Sequence, residues 1–239
     1  MFRNLKVSVV VPAYNEEATI GAVVADFRGS PFPDEILVVD NNCSDRTAAV
    51  AAEAGARVVR ESAPGYGCAL RAGLDAASGD MLVLVEADGS FKAGDLEKLL
   101  VYLPDCAMVM GTRTTRQMVE QGANMGGSLR WGNVVMAKLL ELLWYVPHEP
   151  RLTDVGCTYR ALWRKTWGQI RGGLRERGPQ FSPEMICEAY RHGLRVIEIP
   201  VHYHRRLGGV SKHSESFLKV ARTALKMFRT IVRKRLGIA

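Results

Sequence analysis

Two carboxylates, Glu86 and Asp88, follow an apolar run with one residue between them. Carboxylates so close in sequence can bind a metal ion or take part in catalysis. In an extended chain, the side chains at positions i and i+2 point to the same side. Such a pair can hold a hard divalent cation, Mg²⁺ or Mn²⁺, and leave positions for substrate phosphates and water. The alternative is a plain turn in which Asp88 or Ser90 caps the next helix.

Polar side chains also follow two earlier apolar runs. Asp40, followed by Asn41 and Asn42, can accept hydrogen bonds from the ring N–H of a nucleobase or from ribose hydroxyls. Tyr14 and Glu16 can pack against a nucleoside and bond to it. A turn that satisfies its own side chains explains each cluster taken alone. Three clusters meeting at one edge favour a binding cleft.

Alternating strands and helices position these clusters. Short apolar runs rich in β-branched residues predict strands at 6–11, 35–40, 56–61 and 81–85, with a helical pattern after each of the first three. This alternation predicts an α/β fold with a doubly wound, mainly parallel sheet flanked by helices. Such sheets bind ligands at the carboxyl ends of their strands, where all three clusters lie. The pair Gly65 and Gly67 predicts a flexible turn near the ligand.

The second half of the chain shows weaker patterns. They predict a strand at 107–111, a helix at 127–143 and a strand at 196–203 with an edge position or a bend at Pro200. From Glu215 onward, apolar residues recur every three or four positions among many lysines and arginines, which predicts a basic amphipathic helix.

We therefore expect a catalytic domain at 1–213 and a helical extension at 214–239. Within the domain, 1–110 forms the nucleotide-binding half and 111–213 the acceptor half. Two placements of the extension remain open: it lies in a membrane interface with its apolar face toward lipid, or it packs on the domain as an ordinary surface helix.

The composition favours a soluble protein with an anionic partner. The chain has 239 residues and a net charge of +7, and the basic residues concentrate at its C-terminal end. No apolar run approaches the roughly 20 residues that span a bilayer. The five cysteines are widely spaced without a CxxC pair, which indicates a reducing compartment. We expect a cytoplasmic protein with possible peripheral contact to a membrane.

Several segments in this order resemble a known family. They are VSVVVPAYNEEATI, EILVVDNNCSDRT, PGYGCALRAGL, VLVEADGS, GTR and IEIPVHYHRRLGGVSK. Together they resemble family-2 glycosyltransferases of the GT-A fold, and above all the dolichol- or polyprenyl-phosphate sugar synthases. The resemblance extends from about Lys6 to Lys212.

The resemblance implies roles for individual residues. It implies nucleotide contacts from Pro12, Tyr14, Glu16 and Asp40, metal and diphosphate handling around Glu86, Ala87, Asp88 and Ser90, and anion contacts from Arg113, Arg206, Ser211 and Lys212. It places Glu184 at the mouth of the active site. The sequence departs from the family pattern at Glu86, where Asp is usual, and around Arg130, where the usual Arg and Ser spacing is missing.

The basic residues indicate the class of acceptor. A hydroxyl acceptor needs a general base, whereas a phosphate is already anionic and needs only positioning and charge compensation. The chain lacks the ED and QxxRW motifs of polysaccharide-forming relatives but has Arg113, Arg205, Arg206 and Lys212. We therefore expect an inverting, metal-assisted transfer of a hexose from a UDP- or GDP-linked donor to a polyprenyl or dolichyl phosphate. Structural salt bridges are the alternative role for these cations.

Other functions remain open at this point. A glycosyltransferase acting on a soluble acceptor, such as a secondary metabolite or a phosphorylated metabolite, shares every motif named above. A sugar nucleotidyltransferase needs a Gly-rich N-terminal loop that VVPAYNEE does not provide. A binding module without catalysis would explain Glu86 as a record of lost metal affinity. We do not expect nucleic-acid binding, because the basic residues lack interleaved exposed aromatics.

Overall fold

The computed structural model describes residues 1–123, 127–144, 151–208 and 217–238. Strands and helices alternate regularly in the first part of the chain. The elements there are β1 (Val7–Ala13), α1 (Glu17–Gly29), β2 (Glu35–Asp40), α2 (Thr47–Glu53), β3 (Arg57–Arg60), α3 (Tyr66–Ala76) and β4 (Met81–Leu84). All four predicted strands are confirmed.

The rest of the chain continues with more varied elements. They are α4 (Leu96–Tyr102), β5 (Met108–Thr112), α5 (Gly127–Leu143), β6 (Arg160–Trp163), α6 (Arg164–Ile170), α7 (Phe181–Arg191), β7 (Val196–Pro200) and α8 (Phe217–Leu236). The predicted helix at 127–143, the two predicted strands and the C-terminal helix are confirmed. The predicted domain boundary at residue 213 lies outside the described residues.

One sheet of seven strands runs through the molecule in the order β3-β2-β1-β4-β6-β5-β7. Every neighbouring pair is parallel except those made by β6, which runs antiparallel to β4 and to β5. The predicted mainly parallel α/β sheet is therefore confirmed. From β1 the chain first builds toward β2 and β3, and β4 then pairs on the opposite side of β1. The carboxyl ends of β1 and β4 thus form a topological switch point, where ligands bind in open α/β sheets.

Strand β1 is buried on both faces. Val9 and Val10 are fully buried and pack into separate apolar clusters, one with Phe27 of α1 and the other with Leu74 of α3. Burying such a side chain contributes about 1.5–3 kcal/mol. Because neither face of the strand meets water, its sequence is apolar apart from the buried Ser8 and shows no regular polar alternation.

Strand β6 was not predicted, because it begins with a charged residue. Arg160 is 1% exposed. Its guanidinium donates to the carbonyl oxygens of Cys157 and Ser182, the latter at 3.0 Å from Nη1. Burial lowers the pKa of Arg160. A strand of four residues that starts with a charge is too short to show a recognisable apolar pattern.

Helix α8 packs on the domain by one of its faces. Ile231 is fully buried, and α8 contacts both α5 and α7. The opposite face keeps Leu225, Phe228 and Leu236 exposed. The inner face of α8 therefore packs on the domain, which is one of the two placements expected for this helix. None of the helices in the described parts of the chain is long and apolar enough to cross a bilayer.

Candidate active site

A cleft of about 570 Å³ opens at the carboxyl ends of β1, β2 and β4. Three of the polar clusters singled out in the sequence contribute to its wall. The lining residues are Pro12, Ala13, Tyr14, Glu16, Asn41, Asn42, Pro64, Gly65, Tyr66, Ala69, Glu86, Ala87, Asp88, Arg177, Gly178, Pro179 and Arg206. The structure thus brings together most of the predicted site residues at the switch point of the sheet.

Asp88 lies in the cleft wall next to a cation. Its side chain is 6% exposed, and Oδ2 is 3.1 Å from Nε of Arg206. Its Oδ1 accepts a hydrogen bond of 2.9 Å from the N–H of Ser90, which closes the turn after β4. Burial lowers the pKa of Arg206, but the charges of Asp88 and Glu86, with smaller contributions from Tyr203 and Glu16, together raise that pKa above its ordinary value. The two side chains form a charge pair within the cleft.

Backbone hydrogen bonds explain why Arg206 lies there. The N–H of Leu207 donates to the carbonyl of Asp88 at 3.0 Å, and the N–H of His204 donates to the carbonyl of Ser90 at 2.9 Å. Gly89 has a φ of +75°, and a Cβ on it would lie 2.5 Å from the Leu207 side chain. The glycine of the ADGS segment therefore permits the close approach of the segment that carries Arg206.

Glu86 belongs to a chain of hydrogen bonds. Its Oε1 accepts from the Thr158 hydroxyl at 2.8 Å, and the Tyr66 hydroxyl lies 2.5 Å from the same Thr158 oxygen. Burial, together with the charge of Asp88, raises the pKa of Glu86 to about 7. Burial and the charge of Glu86 likewise raise the pKa of Tyr66.

These residues fit a divalent cation that is shared with a phosphate ligand. No group of three or more His, Cys, Asp or Glu side chains that could hold a metal occurs among the described residues. Mg²⁺ is commonly held by one or two carboxylates together with substrate phosphates and water. Arg206 Nε and Ser90 Oγ are buried without a hydrogen bond in the described parts of the chain, but Arg206 Nε is ion-paired with Asp88 and Ser90 is not among the lining residues. Arg206 lines the cleft, and a guanidinium can bind an anionic ligand through several of its N–H groups.

Asp40 lies behind the cleft lining rather than in it. Its Oδ1 accepts a hydrogen bond of 2.8 Å from the N–H of Cys43 and so caps the turn after β2. Asn41 connects that turn to the cleft: its side-chain N–H donates to the carbonyl of Ala63 at 2.8 Å, and its Oδ1 accepts from the N–H of Gly65 at 2.9 Å. Of this cluster, Asn41 and Asn42 reach the cleft.

Arg113 was expected to receive an anion, but it is already paired. Its guanidinium binds both carboxylate oxygens of Asp154, at 2.8 and 2.9 Å, and lies over the ring of Tyr203. Burial alone would lower the pKa of Arg113, yet the charge of Asp154 raises it well above its ordinary value. Its charge also lowers the pKa of Glu86. Arg113 is not among the lining residues, and it thus influences the cleft through the electrostatic effect of its charge on Glu86.

Arg205 is likewise engaged outside the cleft. Its backbone N–H donates to the Glu120 carboxylate at 2.8 Å, and its Nε donates to the Gln121 carbonyl. Ser211 and Lys212, the remaining predicted anion contacts, lie outside the described residues.

Glu184 lies behind the wall of the cleft and not at its mouth. The residue is fully buried, and its carboxylate accepts from the N–H groups of Arg175 and Glu176, both at 2.9 Å. It also lies 2.9 Å from Nζ of Lys234 in α8. A direct contact between Glu184 and a ligand in the cleft is therefore excluded in this arrangement.

Two more stretches form the wall: Pro64–Tyr66, where the Gly65 and Gly67 pair predicted a flexible turn near the ligand, and Arg177–Pro179, which was missed in the sequence. The N–H of Gly67 donates to the carbonyl of Arg177 at 2.8 Å, so the stretches meet. A Cβ on Gly67 would lie 2.3 Å from the carbonyl oxygen of Glu176. The glycine pair was thus a signal of close backbone approach, but a sequence does not show which segment approaches.

The sequence and the fold match known proteins. The sequence model described as "Glycosyl transferase family 2" matches residues 8–151. An uncharacterised glycosyltransferase of Mycobacterium tuberculosis is 38% identical over 210 residues, which cover 88% of this chain and 90% of that protein. A dolichyl-phosphate hexose transferase of Haloferax volcanii is 30% identical over 204 residues, which cover 84% of each protein.

Solved structures share the fold. Glucosyl-3-phosphoglycerate synthase from Mycobacterium tuberculosis, in complex with Mn²⁺, UDP-glucose and phosphoglyceric acid, superimposes with a TM-score of 0.76 at 23% sequence identity. The match covers 99% of this chain and 81% of that one. The same enzyme with Mg²⁺ and UDP gives a TM-score of 0.73.

Proposed function

The chain belongs to glycosyl transferase family 2 and is a glycosyltransferase, and from this premise we propose that it transfers a hexose from a nucleotide-sugar to a polyprenyl phosphate. We further propose that the reaction inverts the anomeric carbon, requires Mg²⁺ or Mn²⁺ and takes place at the cytoplasmic face of a membrane. The observation that carries the proposal is the pairing of Asp88 with Arg206 inside the switch-point cleft.

The lining residues divide between the parts of the donor. We assign Tyr14, Glu16 and Asn42 to the nucleoside, because they line the cleft and follow β1 and β2 in the chain. Asp88, with Glu86 beside it, would hold the divalent cation. When bound, that cation would neutralise the charge that develops on the departing nucleoside diphosphate.

Arg206 would bring the nucleophile to the anomeric carbon. Its side chain is 25% exposed and points its charge into the cleft beside Asp88. A phosphate oxygen of the acceptor is anionic, so it can attack the anomeric carbon from the face opposite the leaving group without a general base. The C–O bond to the nucleoside diphosphate breaks as the new C–O bond forms, and the configuration inverts.

A lipid acceptor is supported by the surface of α5 and α8. These helices pack against each other, and both expose large apolar side chains: Trp131, Val135 and Leu142 on α5, and Leu225, Phe228 and Leu236 on α8. Helix α8 also has many basic residues and no acidic one. Apolar and basic side chains on one helix favour the interface of an anionic membrane. The similarity to a dolichyl-phosphate hexose transferase points to the same acceptor.

A soluble phosphate-bearing acceptor is the second candidate. Glucosyl-3-phosphoglycerate synthase has the same fold and was solved with phosphoglyceric acid, a soluble acid that carries a phosphate. The charge compensation that Arg206 offers suits the phosphate of either acceptor.

A panel of acceptors separates the two candidates. Purified protein is incubated with Mn²⁺ and labelled UDP- or GDP-hexoses, together with a short polyprenyl phosphate, the matching polyprenol or 3-phosphoglycerate. We expect a labelled product with the polyprenyl phosphate and none with the polyprenol. Product with phosphoglycerate alone would refute the lipid acceptor but keep the glycosyltransferase. Metal-independent nucleotide binding without any turnover would instead indicate a binding module.

A further inference from the structure

A lysine near the C-terminal end of the chain is buried in a network of charges. Lys234 of α8 has a side chain that is 11% exposed, and its Nζ lies 2.9 Å from carboxylate oxygens of both Glu184 and Glu188 in α7. The same Nζ donates to the carbonyl of Gly173. A buried charge is tolerated only where it is paired and hydrogen-bonded, so this network fixes α8 to α7 in one arrangement.

The network continues to the segment before α7. Glu184 accepts hydrogen bonds of 2.9 Å from the N–H groups of Arg175 and Glu176. A second contact from α8 reaches the same segment, because the Thr230 hydroxyl donates to a carboxylate oxygen of Glu176 at 2.8 Å. Helix α8 therefore contacts Glu176 directly through Thr230. It also acts on residues 175 and 176 indirectly, through the ion pair of Lys234 with Glu184.

The other side of this segment forms the wall of the cleft. The carbonyl of Arg177 accepts from the N–H of Gly67 at 2.8 Å, and a Cβ on Gly65 would lie 2.6 Å from that same carbonyl oxygen. The next three residues, Arg177–Pro179, line the same cleft as Asp88 and Arg206. The segment is thus clamped between the start of α3 and the Lys234 network.

From these contacts we infer that Lys234 is a positioning residue for the donor cleft. Through Glu184 it sets the place of the 175–179 segment, and so the place of Arg177, an exposed residue of the cleft lining. Arg177 in turn contacts the anionic part of the nucleotide-sugar. This inference rests on the proposed function for the identity of the ligand, but the contact between Lys234 and the segment does not.

The first test measures amide hydrogen exchange in the 175–179 segment. In Lys234→Met, we expect the amides of Arg175 and Glu176 to exchange hydrogen about tenfold faster, which corresponds to about 1.4 kcal/mol of local stability. The amides of β1 should stay protected. The matched control is Lys165→Met, which removes an exposed lysine from α6. Thr230→Val removes only a hydroxyl and should fold normally, with a smaller change in the same segment. Unchanged exchange in both Lys234→Met and Thr230→Val would overturn the inference.

The second test follows nucleotide binding by calorimetry with UDP or GDP and Mn²⁺. We expect Lys234→Met and Arg177→Met each to weaken nucleotide binding several-fold. The double variant should bind as tightly as the single variant with the lower affinity, since both changes act on one contact. Full additivity, or an affinity of Lys234→Met equal to that of Lys165→Met, would overturn the positioning role. Wild-type protein that binds neither nucleotide would contradict the proposed function, and the exchange measurement would still decide the contact between α8 and the cleft wall.

Discussion

Asp88 and Glu86 stand two positions apart but have different surroundings. Asp88 is ion-paired with Arg206 in the cleft wall, whereas Glu86 is held by the Thr158 hydroxyl, which the Tyr66 hydroxyl contacts in turn. Asp88 is therefore free to exchange one cationic partner for another when a ligand enters. Glu86 is fixed in place by the hydrogen bond from Thr158, so its carboxylate acts on the cleft from one position.

Replacing Asp88 tests the proposed cation site. In Asp88→Ala we expect metal-dependent turnover to fall by about 10²–10³-fold, the usual loss when a group that stabilises developing charge is removed. The thermal unfolding transition should persist, because the lost side chain lies in a cleft and not in the apolar core. Glu53→Ala, on the exposed surface of α2, serves as the control. Turnover near that of wild type would remove Asp88 from the mechanism.

Shortening Glu86 separates a metal contact from a sugar contact. Glu86→Asp keeps the carboxylate and introduces the residue usual in the family, so we expect turnover within about tenfold of wild type and an unchanged requirement for Mn²⁺. The measurement is the dependence of initial rate on Mn²⁺ concentration. A collapse of the rate at all metal concentrations would show instead that the length of Glu86 positions the sugar.

The sequence identifies charged residues but not their partners. Arg113 was a reasonable anion contact until the structure showed Asp154, 41 positions later, bound to it through two hydrogen bonds. Glu184 was placed at the mouth of the site, and its buried partners are two backbone N–H groups and Lys234. Pairings between distant positions depend on tertiary packing, which local sequence patterns do not contain.

Elements could be predicted where burial produces a regular pattern. Strands β1, β2 and β4 are apolar runs because helices cover both faces of the sheet, and α5 was predicted with its observed bounds from its apolar periodicity. Strand β6 and the segment before α7 have no such pattern. The buried Arg160 of β6 donates to backbone carbonyls, and the segment before α7 donates backbone N–H groups to the buried Glu184 of α7.

Two glycines in helices provide a matched test of close packing. In Gly67→Ala of α3, the new Cβ would lie 2.3 Å from the Glu176 carbonyl, so we expect a loss of about 1–3 kcal/mol in the free energy of unfolding. In Gly168→Ala of α6, nothing lies within 4 Å, and the gain should be about 0.5–1 kcal/mol. Denaturant unfolding measures both. Equal effects would show that the 176–177 backbone does not press against α3.

The distribution of apolar and charged surface links the cleft to the proposed membrane contact. Helix α8 has an inner face that holds the cleft wall through Lys234 and an outer face with Leu225 and Phe228 exposed. A helix with both faces engaged would place the cleft at a fixed distance from the bilayer.

The outer face of α8 can be tested with vesicles. In the double variant Leu225→Ser/Phe228→Ser we expect binding to anionic vesicles to weaken by at least about tenfold, because each large apolar side chain contributes roughly 1.5–3 kcal/mol when it leaves water. Co-sedimentation with vesicles of anionic or neutral lipid measures the affinity, and higher salt should weaken only the anionic case. Val101→Ser is the control, since Val101 on α4 and Phe228 are both 41% exposed. If the double variant binds like this control, α8 does not contact lipid, and a soluble phosphate-bearing acceptor becomes the better account of the cleft.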